Sequence, residues 1–128
     1  PYGHVILRGG KRPNYDTASI DVACAELAKA GLPQRLVVDF SHGNSQKDHR
    51  RQMEVGADIC DQLKRGRTAI AGVMIESFIA EGRQDVTPDC ALTFGQSITD
   101  ACLGWEQTAA LLASLADAAA VRQIRLSQ

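Results

Sequence analysis

A chain of 128 residues with 45% hydrophobic and 5% aromatic residues carries enough apolar material for the core of one α/β domain. Fourteen Lys and Arg against fifteen Asp and Glu leave a formal net charge of -1, which excludes a global basic field for nucleic acid or an anionic membrane surface. The apolar runs, such as Ala69 to Ile75, fall far short of the roughly 20 residues that span a bilayer.

The run His4-Val5-Ile6-Leu7 is apolar on both faces and stops at Arg8-Gly9-Gly10, which predicts a buried strand ended by a glycine turn. After Pro13-Asn14-Tyr15-Asp16, the residues Ile20, Ala23, Cys24, Leu27 and Ala30 recur at helical spacing until Gly31 and Pro33. Leu36 to Phe40 is a second β-branched run. It leads through the turn residues Ser41 to Ser45 into a helix with Met53, Ala57, Cys60 and Leu63 on one stripe, ended by Gly66. A third strand over Ala69 to Ile75 precedes a polar stretch and a last helix carrying Leu111, Leu112, Leu115, Ala119 and Ile124. Trp105, near its start, is expected in the core or an interface.

Strands apolar on both faces and joined by helices predict an α/β fold with a parallel sheet, either open and doubly wound or part of a (β/α)₈ barrel. A complete barrel needs roughly 250 residues, so about three βα units suggest its final portion. Residues 1 to 128 are then expected to form the carboxy-terminal part of one TIM-barrel domain whose upstream half is absent. The first residue, Pro1, is not an initiator Met, in keeping with a piece of a longer chain. Cys24, Cys60, Cys90 and Cys102 show no C-x-x-C spacing, and with no signal peptide the expectation is free thiols in the cytoplasm.

In parallel α/β folds chemistry collects where strands end. Here those places hold Arg8 with its glycines, Ser41-His42-Gly43-Asn44, and Glu76-Ser77. Each has a structural alternative: Arg8 as a surface cation, His42 as a cap, Glu76 as a partner for its own loop amides. The 22 residues from Ser77 to Ile98 show little helix or strand pattern, as active-site loops often do. They lead to Asp100, which could join His42 and Glu76 as an N/O ligand set for a divalent metal or else cap a helix turn. His4 and His49 are given no role, and Lys47, Arg50 and Arg51 form a charged, solvated face.

The segments Ile6-Leu7-Arg8-Gly9-Gly10-Lys11, Asp39-Phe40-Ser41-His42-Gly43-Asn44-Ser45, Val73-Met74-Ile75-Glu76-Ser77 and Ser97-Ile98-Thr99-Asp100-Ala101-Cys102, taken in order, closely resemble the microbial type I 3-deoxy-D-arabino-heptulosonate 7-phosphate synthases. The wording of Gln46 to Gln52 and of Thr93 to Gln96 is nearest to the tryptophan-sensitive isoenzyme group. The resemblance implies a (β/α)₈ barrel of which this chain supplies the last three strands. It implies condensation of phosphoenolpyruvate with erythrose 4-phosphate, the entry to aromatic amino-acid synthesis. It further implies that Arg8 binds phosphoenolpyruvate, that His42, Glu76 and Asp100 are three of four ligands to a divalent ion (Mn, Fe, Zn or Co), and that Asp100 also lies near the aldehyde substrate. The family's fourth ligand is a cysteine upstream of Pro1, and none of the four cysteines here sits in that motif. The chain by itself is expected to be inactive, and the complete enzyme a homo-oligomer. Two other readings remain: a related 3-deoxy-octulosonate 8-phosphate synthase, and a non-catalytic barrel fragment or assembly module.

Overall fold

The structure, a computed structural model, describes residues 3–88 and 91–128. The expectation of a free thiol at Cys90 lies outside them, whereas Cys24, Cys60 and Cys102 are free.

Three parallel strands, β1 (Val5–Leu7), β2 (Leu36–Asp39) and β3 (Ile70–Met74), lie side by side in chain order. Val5 pairs with Leu36, and Asp39 with Met74, so the three carboxyl ends reach the same edge. Helix α1 (Thr17–Lys29) connects β1 to β2, and α2 (Gln52–Lys64), entered through a 3₁₀ turn at His49–Arg51, connects β2 to β3. Parallel neighbours need crossovers of this kind, because a tight hairpin reverses direction.

Local chemistry sets the helix ends. Asp16 caps α1 by accepting from the Ser19 amide at 3.0 Å and the Ser19 hydroxyl at 2.6 Å. Its exit at Gly31 is closed by a bond from the Leu32 amide to the Leu27 carbonyl at 2.9 Å. The last helix, α3 (Trp105–Leu126), begins where the Gly104 amide donates to Gln107 Oε1 at 2.8 Å and packs along α2. Their approach is close: a Cβ on Gly56 of α2 would lie 2.4 Å from Leu111 Cδ1 of α3. The core fills the space between sheet and helices, with Ile20, Leu36, Val38, Phe40, Ile59 and Leu103 fully buried.

The structure departs from the sequence reading in several places. Val5 and Ile6, expected to be buried, are 44% and 43% exposed because β1 is a sheet edge that the described residues cover only at Leu7. Ala57, Leu112 and Ile124 face outward, while Val55, Gly56 and Ile59 make the α2 stripe and Leu111, Leu115 and Ala118 that of α3. Of the two settings expected for Trp105, its 61% exposure at the start of α3 excludes the core of this chain. The stretch from Ser77 to Ile98 has its own small parallel sheet, β4 (Ala80–Arg83) with β5 (Gln96–Ser97). Single bridges from Ser77 to Leu103 and from Gly82 to Cys102 extend it. Among the described residues no helix is long and apolar enough to cross a membrane.

Candidate metal centre

The residues that leave β1, β2 and β3 line one cleft of about 380 Å³, and Arg8, His42, Glu76 and Asp100 all face it. Arg8 and His42 are brought together by backbone packed on backbone. A Cβ on Gly9 would stand 2.5 Å from the Gly43 carbonyl carbon, and one on Gly43 would stand 2.7 Å from the Gly10 nitrogen. Only two facing glycines permit that approach. The buried Asn44 side chain locks the junction: its amide nitrogen donates to the carbonyls of Leu7 at 3.0 Å and Asp39 at 2.7 Å, and its oxygen accepts from the Asn14 amide at 2.7 Å.

His42 holds a left-handed backbone, φ 53°, directly after the strand. Such a conformation is costly for a non-glycine residue, and at functional sites it is maintained by surrounding contacts. Here the contacts come from Asp39, whose Oδ2 lies 2.7 Å from His42 Nδ1 while its Oδ1 accepts from the Ser41 amide at 2.9 Å and the Ser41 hydroxyl at 2.5 Å. A carboxylate at Nδ1 favours the proton on that nitrogen, the arrangement by which metal-binding imidazoles keep Nε2 free to ligate.

Glu76 follows β3, and its main chain is bracketed by the fully buried Gln52. The Glu76 amide donates to Gln52 Oε1 at 2.8 Å, and Gln52 Nε2 donates to the Glu76 carbonyl at 3.0 Å. The Glu76 carboxylate then stands 3.5 Å from His42 Nε2. Burial pushes its pKa up, His42 pulls it down, Asp100 and Asp39 push it further up, and Arg8 opposes them. A carboxylate crowded by other acids in a partly desolvated cleft favours a compensating cation.

Asp100 arrives from the segment after β5. Ligand atoms of His42, Glu76 and Asp100 all lie within 4.8 Å of one another. One imidazole and two carboxylates form a donor set suited to a divalent first-row ion. The spacing of the three groups fits a shared cation.

Several neighbours were not legible beforehand. Lys47, exposed as expected, also lines the cleft, as does His49. His49 is half-buried rather than free: its Nε2 lies 2.9 Å from Glu81 Oε1, which also accepts from Arg50 Nε at 2.7 Å. Those two donors pull the Glu81 carboxyl below the usual range. The partners are 32 and 31 positions apart, so no local pattern reveals them. For Asp39 a signal existed: an acidic residue closing an apolar strand three positions before a histidine.

Comparison with known proteins points to one family. The Trp-sensitive phospho-2-dehydro-3-deoxyheptonate aldolase of Escherichia coli K12 is 58% identical over 122 residues, which cover 95% of this chain and 35% of that protein. The Trp-sensitive enzyme of Salmonella typhimurium LT2 is 58% identical over 92% of this chain and 34% of its own length. The structure of phospho-2-dehydro-3-deoxyheptonate aldolase from Francisella tularensis superposes with a TM-score of 0.89 at 49% identity, covering 94% of this chain and 35% of that one. The chain thus spans about a third of the length of the relatives it matches. The model of the DAHP synthetase I family matches residues 1–113, and the chain belongs to that family.

Proposed function

We propose that this chain is the carboxy-terminal portion of a (β/α)₈-barrel enzyme, cytoplasmic and homo-oligomeric, that condenses phosphoenolpyruvate with erythrose 4-phosphate and water to give 3-deoxy-D-arabino-heptulosonate 7-phosphate and phosphate. Residues 1 to 128 make up part of a single barrel domain, and an upstream portion supplies the remaining strands and further substrate contacts. The observation that carries the reading is the convergence of His42, Glu76 and Asp100 in a cleft that also holds Arg8. Identity above half to enzymes named for the deoxyheptonate reaction supports the substrate pair, and their Trp-sensitive names support a tryptophan-responsive subtype.

In this reading C3 of phosphoenolpyruvate attacks the aldehyde carbon of erythrose 4-phosphate, a C–C bond forms, water adds at C2 and inorganic phosphate leaves. Arg8 holds the phosphoenolpyruvate phosphate, a charge-assisted contact that fixes the nucleophilic carbon. His42 and the carboxylates of Glu76 and Asp100 would hold a divalent ion, and Asp100 would also border the aldehyde's hydroxyls. When bound, such an ion supplies Lewis-acid polarisation of the aldehyde. Asp39 keeps His42 in its tautomer, and Gln52 keeps Glu76 in place.

The test is turnover by the chain extended to the length of its relatives. Erythrose 4-phosphate should yield one phosphate per heptulosonate, and arabinose 5-phosphate should be turned over poorly. Preference for the pentose would indicate a 3-deoxy-octulosonate 8-phosphate synthase, and no turnover of either would leave a non-catalytic barrel piece.

A further inference from the structure

Asp100 is the least supported of the three cleft groups. It is exposed, and among the described residues the side-chain bond made to it, from Cys102 Sγ at 3.5 Å, ends on its main-chain oxygen. Its position is inherited from a ladder. The Gly82 amide donates to the Cys102 carbonyl at 2.8 Å, the Cys102 amide returns a bond to Gly82 at 3.1 Å, and the Gln84 amide donates to the Ser97 carbonyl at 2.8 Å.

One end of that ladder is joined to Glu76 by the Leu103 amide at 3.0 Å. Its other end reaches the His42 side through Glu81, the residue before Gly82. Glu81 Oε1 takes His49 Nε2 at 2.9 Å and Arg50 Nε at 2.7 Å, while its carbonyl accepts from Gln96 Nε2 at 2.8 Å. Among the described residues, every ion pair between the 3₁₀ turn and β4 runs through this carboxylate. The turn it grips leads directly into Gln52, which brackets Glu76.

The two halves of the grip differ in weight. The Arg50 side chain is 73% exposed, and a pair so open to water contributes little. The His49 side chain is 17% exposed and lines the cleft. A bond shielded in this way holds its geometry better.

The geometry points to Glu81 as a positioning residue for the cation site: by holding His49 it sets the separation of Asp100 from His42 and Glu76, and with it the affinity for a divalent ion. This inference rests on the proposed reading of those three residues as metal ligands. Glu81 is not among the residues that line the cleft. It acts through the ladder.

The experiment is a Mn²⁺ titration of the full-length, metal-stripped enzyme, reading free ion by electron paramagnetic resonance alongside kcat and KM. Glu81→Ala should weaken Mn²⁺ by about tenfold, in the range seen for outer partners of metal sites, and lower kcat with KM for phosphoenolpyruvate little changed. Glu81→Gln should recover most of the affinity, because an amide oxygen still accepts from His49. Should Glu81→Ala fail to fold, His49→Leu removes the same bond from its other end and carries the same expectation. Unaltered Mn²⁺ affinity in folded Glu81→Ala or His49→Leu, or a Gln variant as weak as the Ala one, would overturn the inference. His42→Ala in the same titration separates the two levels: full Mn²⁺ affinity there would remove the cation-site reading itself, whatever Glu81 does.

Discussion

Asp39 Oδ2 lies 2.7 Å from His42 Nδ1, with 3% of the Asp39 side chain exposed, and Nε2 is the ring nitrogen turned toward Glu76 in the cleft. The Ser41 hydroxyl and amide hold the other carboxylate oxygen, which prevents the pair from rotating apart. Asp39→Asn replaces an acceptor by an amide that can present N–H to Nδ1 and favour the opposite tautomer. Metal affinity of the full-length enzyme should then fall by roughly 10- to 100-fold with the fold intact, as measured by metal titration beside circular dichroism.

Gly9→Ala tests the glycine contact that brings Arg8 to His42. The new methyl would meet the Gly43 carbonyl carbon at 2.5 Å, and Gly9 has φ 72°, so both space and backbone oppose it. Thermal unfolding should show a loss of about 1–3 kcal/mol, the usual range for overpacking. Gly10→Ala, where a Cβ would meet nothing within 4 Å, should be near neutral.

Gln52→Leu removes the bracket around Glu76. The Glu76 amide loses its partner beside the fully buried Gln52 position, at a cost of roughly 1–3 kcal/mol in denaturant unfolding. Activity should fall with stability, and Gln52→Glu should not restore it, because a carboxylate cannot donate to the Glu76 carbonyl.

The first helix gives a prediction with a pH sign. Bonds from the Ser19 side chain and amide lower the Asp16 pKa, so its stabilising effect is present above the ordinary aspartate range and is lost as pH falls through the lowered folded value. Asp16→Ala should cost about 1 kcal/mol at neutral pH. The difference between the two proteins should vanish in strong acid.

Much of this was legible in the sequence, and for a physical reason. β1, β2 and β3 announce themselves because parallel strands are apolar on both faces, and Arg8, His42 and Glu76 because each follows such a run directly. β4 and β5 did not, since Ala80-Glu81-Gly82-Arg83 and Gln96-Ser97 are short, polar and partly exposed, and their pairing is fixed by backbone bonds rather than an apolar face. His49 looked idle because its partner Glu81 lies in that unreadable stretch. The exposure of Trp105 excludes only the core from its two expected settings, while Gly104 and Thr108, near it, are buried.

If His42, Glu76 and Asp100 hold one divalent ion for the condensation, as proposed, anomalous diffraction from the full-length enzyme crystallised with Mn²⁺ will locate that ion among them. A single strong peak is expected within coordination distance of His42 Nε2 and of carboxylate oxygens of Glu76 and Asp100, lost together with turnover in His42→Ala. Full turnover in metal-stripped protein, or a peak that leaves these three side chains unligated, would contradict it.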